Sequence, residues 1–229
     1  MQKFTIYLLT AGFLLFAGMP SLPGAPIVQT VGGGNCVAAN SGQCTSVAGA
    51  TTITFDNLSS GLSSYQSGIA KYTWGGSTPS PFVSVPNVGG EYAAPPADGT
   101  TYLSAGSGVG RPGTVNVDFV LPVRYFGFYM GSPDGYNHVT FTQESGDITT
   151  ISGANLLLPL IIQADGDQTK GMFVNFTSSD GFTRVSFVST TAAFETDNHA
   201  FGSAVPEPAS YALMGVGLAA LGVLRSRRR

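Results

Sequence analysis

Carboxylates near the end of the chain have the spacing best suited to chemistry. In FETDNHAF (Phe194 to Phe201), Glu195 and Asp197 lie two apart, so in a strand both side chains leave from one face. Asp56 and Asn57 follow the apolar run TTITF at Thr51 to Phe55. Terminal strands are neighbours in many jelly-roll modules, and carboxylate, amide and carbonyl oxygens suit a hard cation. Asp56, Glu195, Asp197 and Asn198 are therefore candidate calcium ligands, and Ca2+ is the one cofactor these residue types suggest. Solvated carboxylates and Asx turns are the alternative.

Other constellations carry less. Cys36 and Cys44 have seven residues between them and most simply form a disulfide in an exported chain, worth about 2–3 kcal/mol. Zinc would need further ligands, and neither His138 nor His199 is near in sequence. A hydrolytic triad would need one of those two histidines as base beside a nucleophile. Glycoside hydrolysis would need two facing carboxylates, and Glu91, Glu144 and Glu195 cannot be paired from sequence. Ala105 to Gly113 (AGSGVGRPG) lacks the Lys-Ser/Thr and helix of a phosphate cradle. Asp165 and Asp167 begin like a calcium loop, but Lys170 stands where glycine is required and Phe176 where the bidentate glutamate belongs. Sugar binding would use exposed aromatic rings, for which Trp74, beside Gly75-Gly76, and Tyr136, in GSPDGYN, are the candidates. Both rings have core packing as the alternative role.

The elements that must position these residues read as strands. Charged residues make up 10% of the chain, against 31 glycines and 14 prolines, which favours short strands and many turns. Predicted strands are Thr51 to Leu58, Ile69 to Trp74, Thr101 to Ser104, Thr114 to Leu121, Arg124 to Met130, Val139 to Gln143, Gly171 to Thr177, Phe182 to Ser189 and Ala193 to Gly202. Val115, Val117, Phe119 and Leu121 alternate onto one face. Asp180-Gly181 reads as a hairpin turn between two strands, Pro133-Asp134-Gly135 as a bend, and 75–99 as a long surface or functional loop. Pro159 disfavours a helix over Ala154 to Gln163. The expected fold is all-β: one antiparallel β-sandwich, jelly-roll-like, with an N-terminal signal helix and a C-terminal transmembrane helix.

The two ends concern destination. Lys3 followed by uncharged Ile6 to Ala17 reads as an export signal. Ala209 to Leu224 is a run of sixteen uncharged, mostly apolar residues, about 24 Å as a helix at ~1.5 Å per residue. That is short of a ~30 Å hydrocarbon core unless the elbow before it contributes or the bilayer thins. Arg225, Arg227, Arg228 and Arg229 then hold the end in the cytoplasm. The chain divides into a signal peptide (1–25), a flexible lead with the disulfide (26–50), the sandwich (51–203) and the tail (205–229). Apart from Lys3, the tail arginines and Glu207, five basic residues face twelve acids, a net of −7. Such a surface does not suit nucleic acid, whose affinity comes from paired cations and phosphate.

Val205-Pro206-Glu207-Pro208, the apolar run and the terminal arginines resemble the PEP-CTERM sorting signal of Gram-negative bacteria, read by the membrane transpeptidases called exosortases. The resemblance implies recognition at Pro206, Glu207 and Pro208 and removal of the helix. It implies an inner-membrane-anchored precursor and then a place at the cell surface or in the extracellular matrix, often beside exopolysaccharide. Tyr125 to Phe141 with Phe194 to Gly202 is similar to a recurring group of such surface proteins, carrying "GSxDxYN" and "FExDNxA" segments. The expected role is non-catalytic, structural or adhesive, through glycan or calcium binding. A secreted hydrolase acting on polysaccharide is the alternative. Mass spectrometry of the mature protein should find a C-terminus at the Pro-Glu-Pro elbow, without the apolar run. Recovery of the uncut chain from cytosol, with both thiols reduced, is the outcome that overturns the export reading.

Overall fold

The computed structural model describes residues 24–59, 62–76, 81–84, 87–107, 110–132, 134–156 and 166–203. The tail, all but the last two residues of the signal peptide, Pro133, and 157–163 of the Pro159 segment lie outside them. Among the described residues no helix is long and apolar enough to cross a membrane.

Antiparallel strands dominate. The short ones near the N-terminus are β1 (Val28–Val31), β2 (Gly34–Asn35), β3 (Gln43–Cys44), β4 (Thr51–Ile53), β5 (Tyr65–Ser67) and β6 (Ala70–Gly76). Next come β7 (Phe82–Val83), β8 (Asn87–Val88), β9 (Tyr92–Ala93) and β10 (Tyr102–Ala105), so the 75–99 stretch read as a loop holds three two-residue strands. Longer elements follow: β11 (Gly113–Met130), β12 (Asn137–Gln143), β13 (Ile148–Ser152), the single turn α1 (Gly153–Leu156), β14 (Met172–Ser189) and β15 (Phe194–Gly202).

β11 and β14 are each 18 residues long and pair with one another from Gly113↔Ser189 to Met130↔Met172. Two of the sequence expectations change here. The strands at 114–121 and 124–130 are one strand through Pro122, and the hairpin at Asp180-Gly181 is a bend within β14. Asp-Gly favours a reversal locally, but reversing there would strip half of β11 of its ladder partner. Gly181 instead takes a left-handed φ of +81°, and a Cβ there would stand 3.1 Å from Pro122 Cβ. The register slips between Asp118 and Tyr125, which changes the phase of alternation. Leu121, expected in the core, is therefore 63% exposed beside Val120, whereas Val115, Val117 and Phe119 are buried.

The bends send the two halves of each long strand into opposite layers of an open sandwich. One layer joins the first half of β11 to the second half of β14, with β6 and β5 on one side and β12 and β13 on the other. In the other layer, β1 lies beside β14, while β15 lies beside β11 and carries β4 and β10 beyond it. The predicted flexible lead thus contributes a sheet strand, β1, and a small hairpin of β2 and β3. Aromatic rings close the interior: Phe187 from one layer meets Phe128 and Phe194 from the other at 5.0 and 5.7 Å between centroids. Burying one such ring stabilises by about 1.5–3 kcal/mol.

The junction from β10 to β11 is a close backbone approach. Gly106 has φ +89°, and a Cβ on Gly113 would lie 2.6 Å from Gly106 Cα, a distance real Cβ atoms do not reach. Gly113→Ala should destabilise by about 2–4 kcal/mol in urea unfolding. Gly75→Ala, where nothing stands within 4 Å, should cost under about 1 kcal/mol. Equal costs at the two positions would show that the approach is not constrained.

Candidate functional site

β15 supplies most of the unusual side chains. Relative to β11 it carries one extra residue, since Gly127 pairs with Ala200 and Tyr129 with Asp197. The bulge centres on Asn198, whose φ of +51° is a conformation that Asn tolerates better than most residues. By absorbing one residue it keeps Phe194 and Thr196 on the inner face before it and returns His199 and Phe201 there after it. Glu195 and Asp197 leave from the outer face.

Glu195 borders a polar cavity of about 210 Å3. Gly90 to Ala93, Ser132, Asp134, Tyr136 and Gln168 form much of its wall. The volume corresponds to roughly seven waters at ~30 Å3 each, below the ~300 Å3 of drug-sized pockets. The Ala93 N–H donates to Glu195 Oε1 at 2.9 Å. Burial pushes the Glu195 carboxyl up to about 7, the Ala93 and Glu195 amides oppose this, and Asp134 adds a smaller push upward. The Tyr136 hydroxyl is raised by burial and then by Asp134, to which it is hydrogen-bonded. At neutral pH the cavity therefore presents a part-protonated Glu195, Asp134 and a phenol, a set that offers both donors and acceptors.

Asp197 goes elsewhere. The Asp98 carboxyl lies beside it, in the turn before β10, where Asp98 Oδ1 accepts from Thr100 N–H at 3.0 Å and from the Thr100 hydroxyl at 2.7 Å. Asp56 is near enough to act on Asp197 as well. Both Asp197 oxygens, Asp98 Oδ2, Asp56 Oδ1 and Asn198 Oδ1 are buried without a hydrogen-bond partner. Burial first, and then Asp98, hold the Asp197 carboxyl well above its ordinary range; the nearby Asn198 amide opposes this without hydrogen-bond geometry. Among the described residues no three His, Cys, Asp or Glu side chains converge as a metal cluster. The expected calcium set thus separates: Asp197, Asn198 and Asp56 stay together, Glu195 belongs to the cavity, and Asp98 takes its place.

The segment 32–50 roofs this outer face. Cys36 and Cys44 are bonded, with Cα atoms 5.0 Å apart. The Thr45 hydroxyl donates to Tyr125 Oη at 2.6 Å, and Tyr125 passes a bond to Asn175 Oδ1 at 2.8 Å. Gln43 Oε1 accepts from the Phe173 N–H. Tyr125, Tyr129, Phe173 and Ala200 form a second apolar cluster under Val47 and Ala50. Asn198 Nδ2 donates to Ser41 O at 2.6 Å, and Ser41 bridges to Asp98, which ties the disulfide loop to the acid group.

Trp74 does not join Tyr136. It is half-buried in β6 opposite Val115, its ring edge-on to Phe82 at 5.6 Å between centroids, and it packs against the core. His199 is wholly buried among Phe55, Phe126, Phe128 and Phe187. Its Nδ1 faces Tyr72 Oη at 3.1 Å and its Nε2 faces Thr196 Oγ1 at 2.9 Å. Burial lowers its pKa to about 3, so it is a neutral core residue with no exposed nitrogen for a substrate. Asp98 had no sequence signal beyond Asp-Gly-Thr after two prolines, an Asx-turn pattern that many loops share.

Comparison with known proteins places one segment firmly. Residues 204–229 match the family model of the PEP-CTERM protein-sorting motif, which marks the chain as exported and sorted to the cell envelope or surface. No curated protein matches the sequence. Among solved structures, the K2 cleaved adhesin domain of Lys-gingipain is similar over 68% of this chain and 98% of that one, with a TM-score of 0.40 and 13% identity.

The buried Glu195 carboxyl has a measurable signature. Its folded pKa of about 7 exceeds the ordinary 4.5, so the folded state holds this proton more tightly. The associated stability is complete below about pH 4.5 and is lost as pH rises through 7. Glu195→Gln keeps an acceptor for Ala93 and removes the titration. The variant should exceed the wild type by up to roughly 3 kcal/mol at pH 8, at about 1.4 kcal/mol per pH unit, with the gap closing towards pH 4.5. Urea unfolding from pH 4.5 to 8 measures this, and a gap independent of pH contradicts the assignment.

Proposed function

We propose that this is a non-catalytic surface protein, exported, anchored by its C-terminal helix and then released from that helix by an exosortase, and that its sandwich binds glycan in the Tyr136 cavity. The sorting motif at 204–229 carries the first part of this reading. A protein sorted to the envelope works among extracellular polysaccharides, and the −7 net charge of its folded part favours neutral or cation-bridged partners over phosphate-rich ones. For the second part, the support is the cavity chemistry: Tyr136 and Tyr92 supply ring faces and hydroxyls, and Asp134 and Glu195 supply acceptors for sugar hydroxyl groups.

One observation favours the hydrolase reading as a runner-up. Asp134 and Glu195 share a cavity, and Glu195 titrates near 7, where a general acid works well. A single experiment separates the two. The purified protein is incubated with exopolysaccharide from the producing cells, and both retention and the release of reducing ends are followed. Binding that weakens about five- to tenfold in Tyr136→Ala, with no reducing ends released, supports the glycan-binding reading. Release of reducing ends that stops in Glu195→Gln replaces it with hydrolysis. Unchanged binding in Tyr136→Ala removes the cavity from the function.

A further inference from the structure

The acid group on the outer face of β15 is separate from the Tyr136 cavity, and its chemistry differs. With Asp197 ionised, every unpartnered atom there is an acceptor: two oxygens of Asp197, one each of Asp98 and Asp56, and the side-chain oxygen of Asn198. Asp197 and Asn198 are fully buried and Asp98 is 7% exposed. The Asn198 amide is oriented by its other end, because Nδ2 is committed to Ser41 O. Buried acceptors with no donor are costly, and several carboxylates sharing a dry site add mutual repulsion. Among the described residues no lysine or arginine pairs with these acids: the ion pairs are Lys170 with Asp167 and Arg184 with Asp118, and His199 faces the core.

We propose that Asp98, Asp197 and Asn198, with Asp56 beside them, bind a calcium ion that fastens the disulfide loop and the turn before β10 to the β15 bulge. A cation satisfies all the acceptors at once and cancels the repulsion, which a further N–H donor cannot do. The donor set is oxygen only, with neither thiolate nor imidazole, which selects a hard cation over zinc or copper. Three carboxylates do not converge by themselves. Main-chain carbonyls of the adjoining turns and water must therefore complete a shell of roughly six to eight oxygens. Calcium accepts such an irregular, mixed shell, whereas magnesium demands near-octahedral geometry and keeps its waters. The site holds whether or not the Tyr136 cavity takes a sugar.

The test uses the full-length protein in detergent, stripped with EDTA and then melted in calcium or magnesium chloride. The melting midpoint should climb steadily with the logarithm of calcium concentration up to millimolar levels, and much less with magnesium, because only the folded state holds the ion. Asp197→Asn removes the buried charge without changing its shape. It should melt at least as high as the stripped wild type and lose most of the calcium response, as should Asp98→Asn. Glu195→Gln, confined to the cavity, should keep the full response, so a failure of the glycan reading leaves this result untouched. Terbium luminescence gives a second readout that does not depend on the melt of any variant. Tyr129, close enough to both acids for each to raise its hydroxyl pKa, should sensitise bound terbium, and calcium should displace the signal. A midpoint unmoved by millimolar calcium together with no sensitised emission overturns the proposal. So does a calcium response that Asp98→Asn and Asp197→Asn both retain.

Discussion

The pairing of β11 with β14, each eighteen residues long, carries this molecule, and the bend they share decides the rest. A flat ribbon of that length would expose one apolar face along its whole extent. Folding the ribbon over at Pro122 and Gly181 turns its two halves towards each other, so that Phe119, Phe126, Phe128, Phe176, Phe182 and Phe187 come into a single core. The remaining strands extend the edges of that ribbon. The corner carries its own cost, since Val120 and Leu121 are left in water where the alternation is broken.

The second layer differs from the first in having both faces covered. Its inner face meets the aromatic core, and its outer face is roofed by the disulfide loop over Tyr125, Tyr129 and Phe173. That double coverage explains how carboxylates at β15 become buried although they lie on the outward side of a strand. It also explains why the same strand serves two chemistries. Glu195 lies where the roof gives way to an open polar cavity, while two residues later Asp197 lies beneath the roof.

Among the described residues, three other than glycine hold left-handed backbone: Asn40, Ala97 and Asn198. They sit on three segments joined by hydrogen bonds, since Gly42 N–H donates to Ala97 O, Gly99 N–H donates to Asn40 O, and Asn198 donates to Ser41 O. Each such conformation costs on the order of 1–2 kcal/mol. Strain that converges from three chain segments on one buried acid group is maintained by the surrounding packing. The disulfide shortens the excursion of the first of these segments and so limits how far that side of the group can open.

Local chemistry determined a good deal from the sequence alone. The Pro-Glu-Pro tail, its apolar run and its arginines specified sorting, because that signal is read as a contiguous peptide. Period-two alternation over 114–119 and at most of the other strands specified an antiparallel β protein, because pleat geometry is a property of neighbouring residues. The cysteine spacing offered a clip. Tertiary structure decided everything that needed distant segments to meet. Asp180-Gly181 has the composition of a reversal, yet the ladder to β11 outweighs the preference of a dipeptide. His199 looks like a polar strand residue, yet one bulge at Asn198 rotates it into the core. Asp98 lies about a hundred residues from Asp197 in the chain, and Trp74 and Tyr136 were grouped only by type. Which carboxylates share a site depends on register, bulges and the roof above them, and no local pattern encodes those.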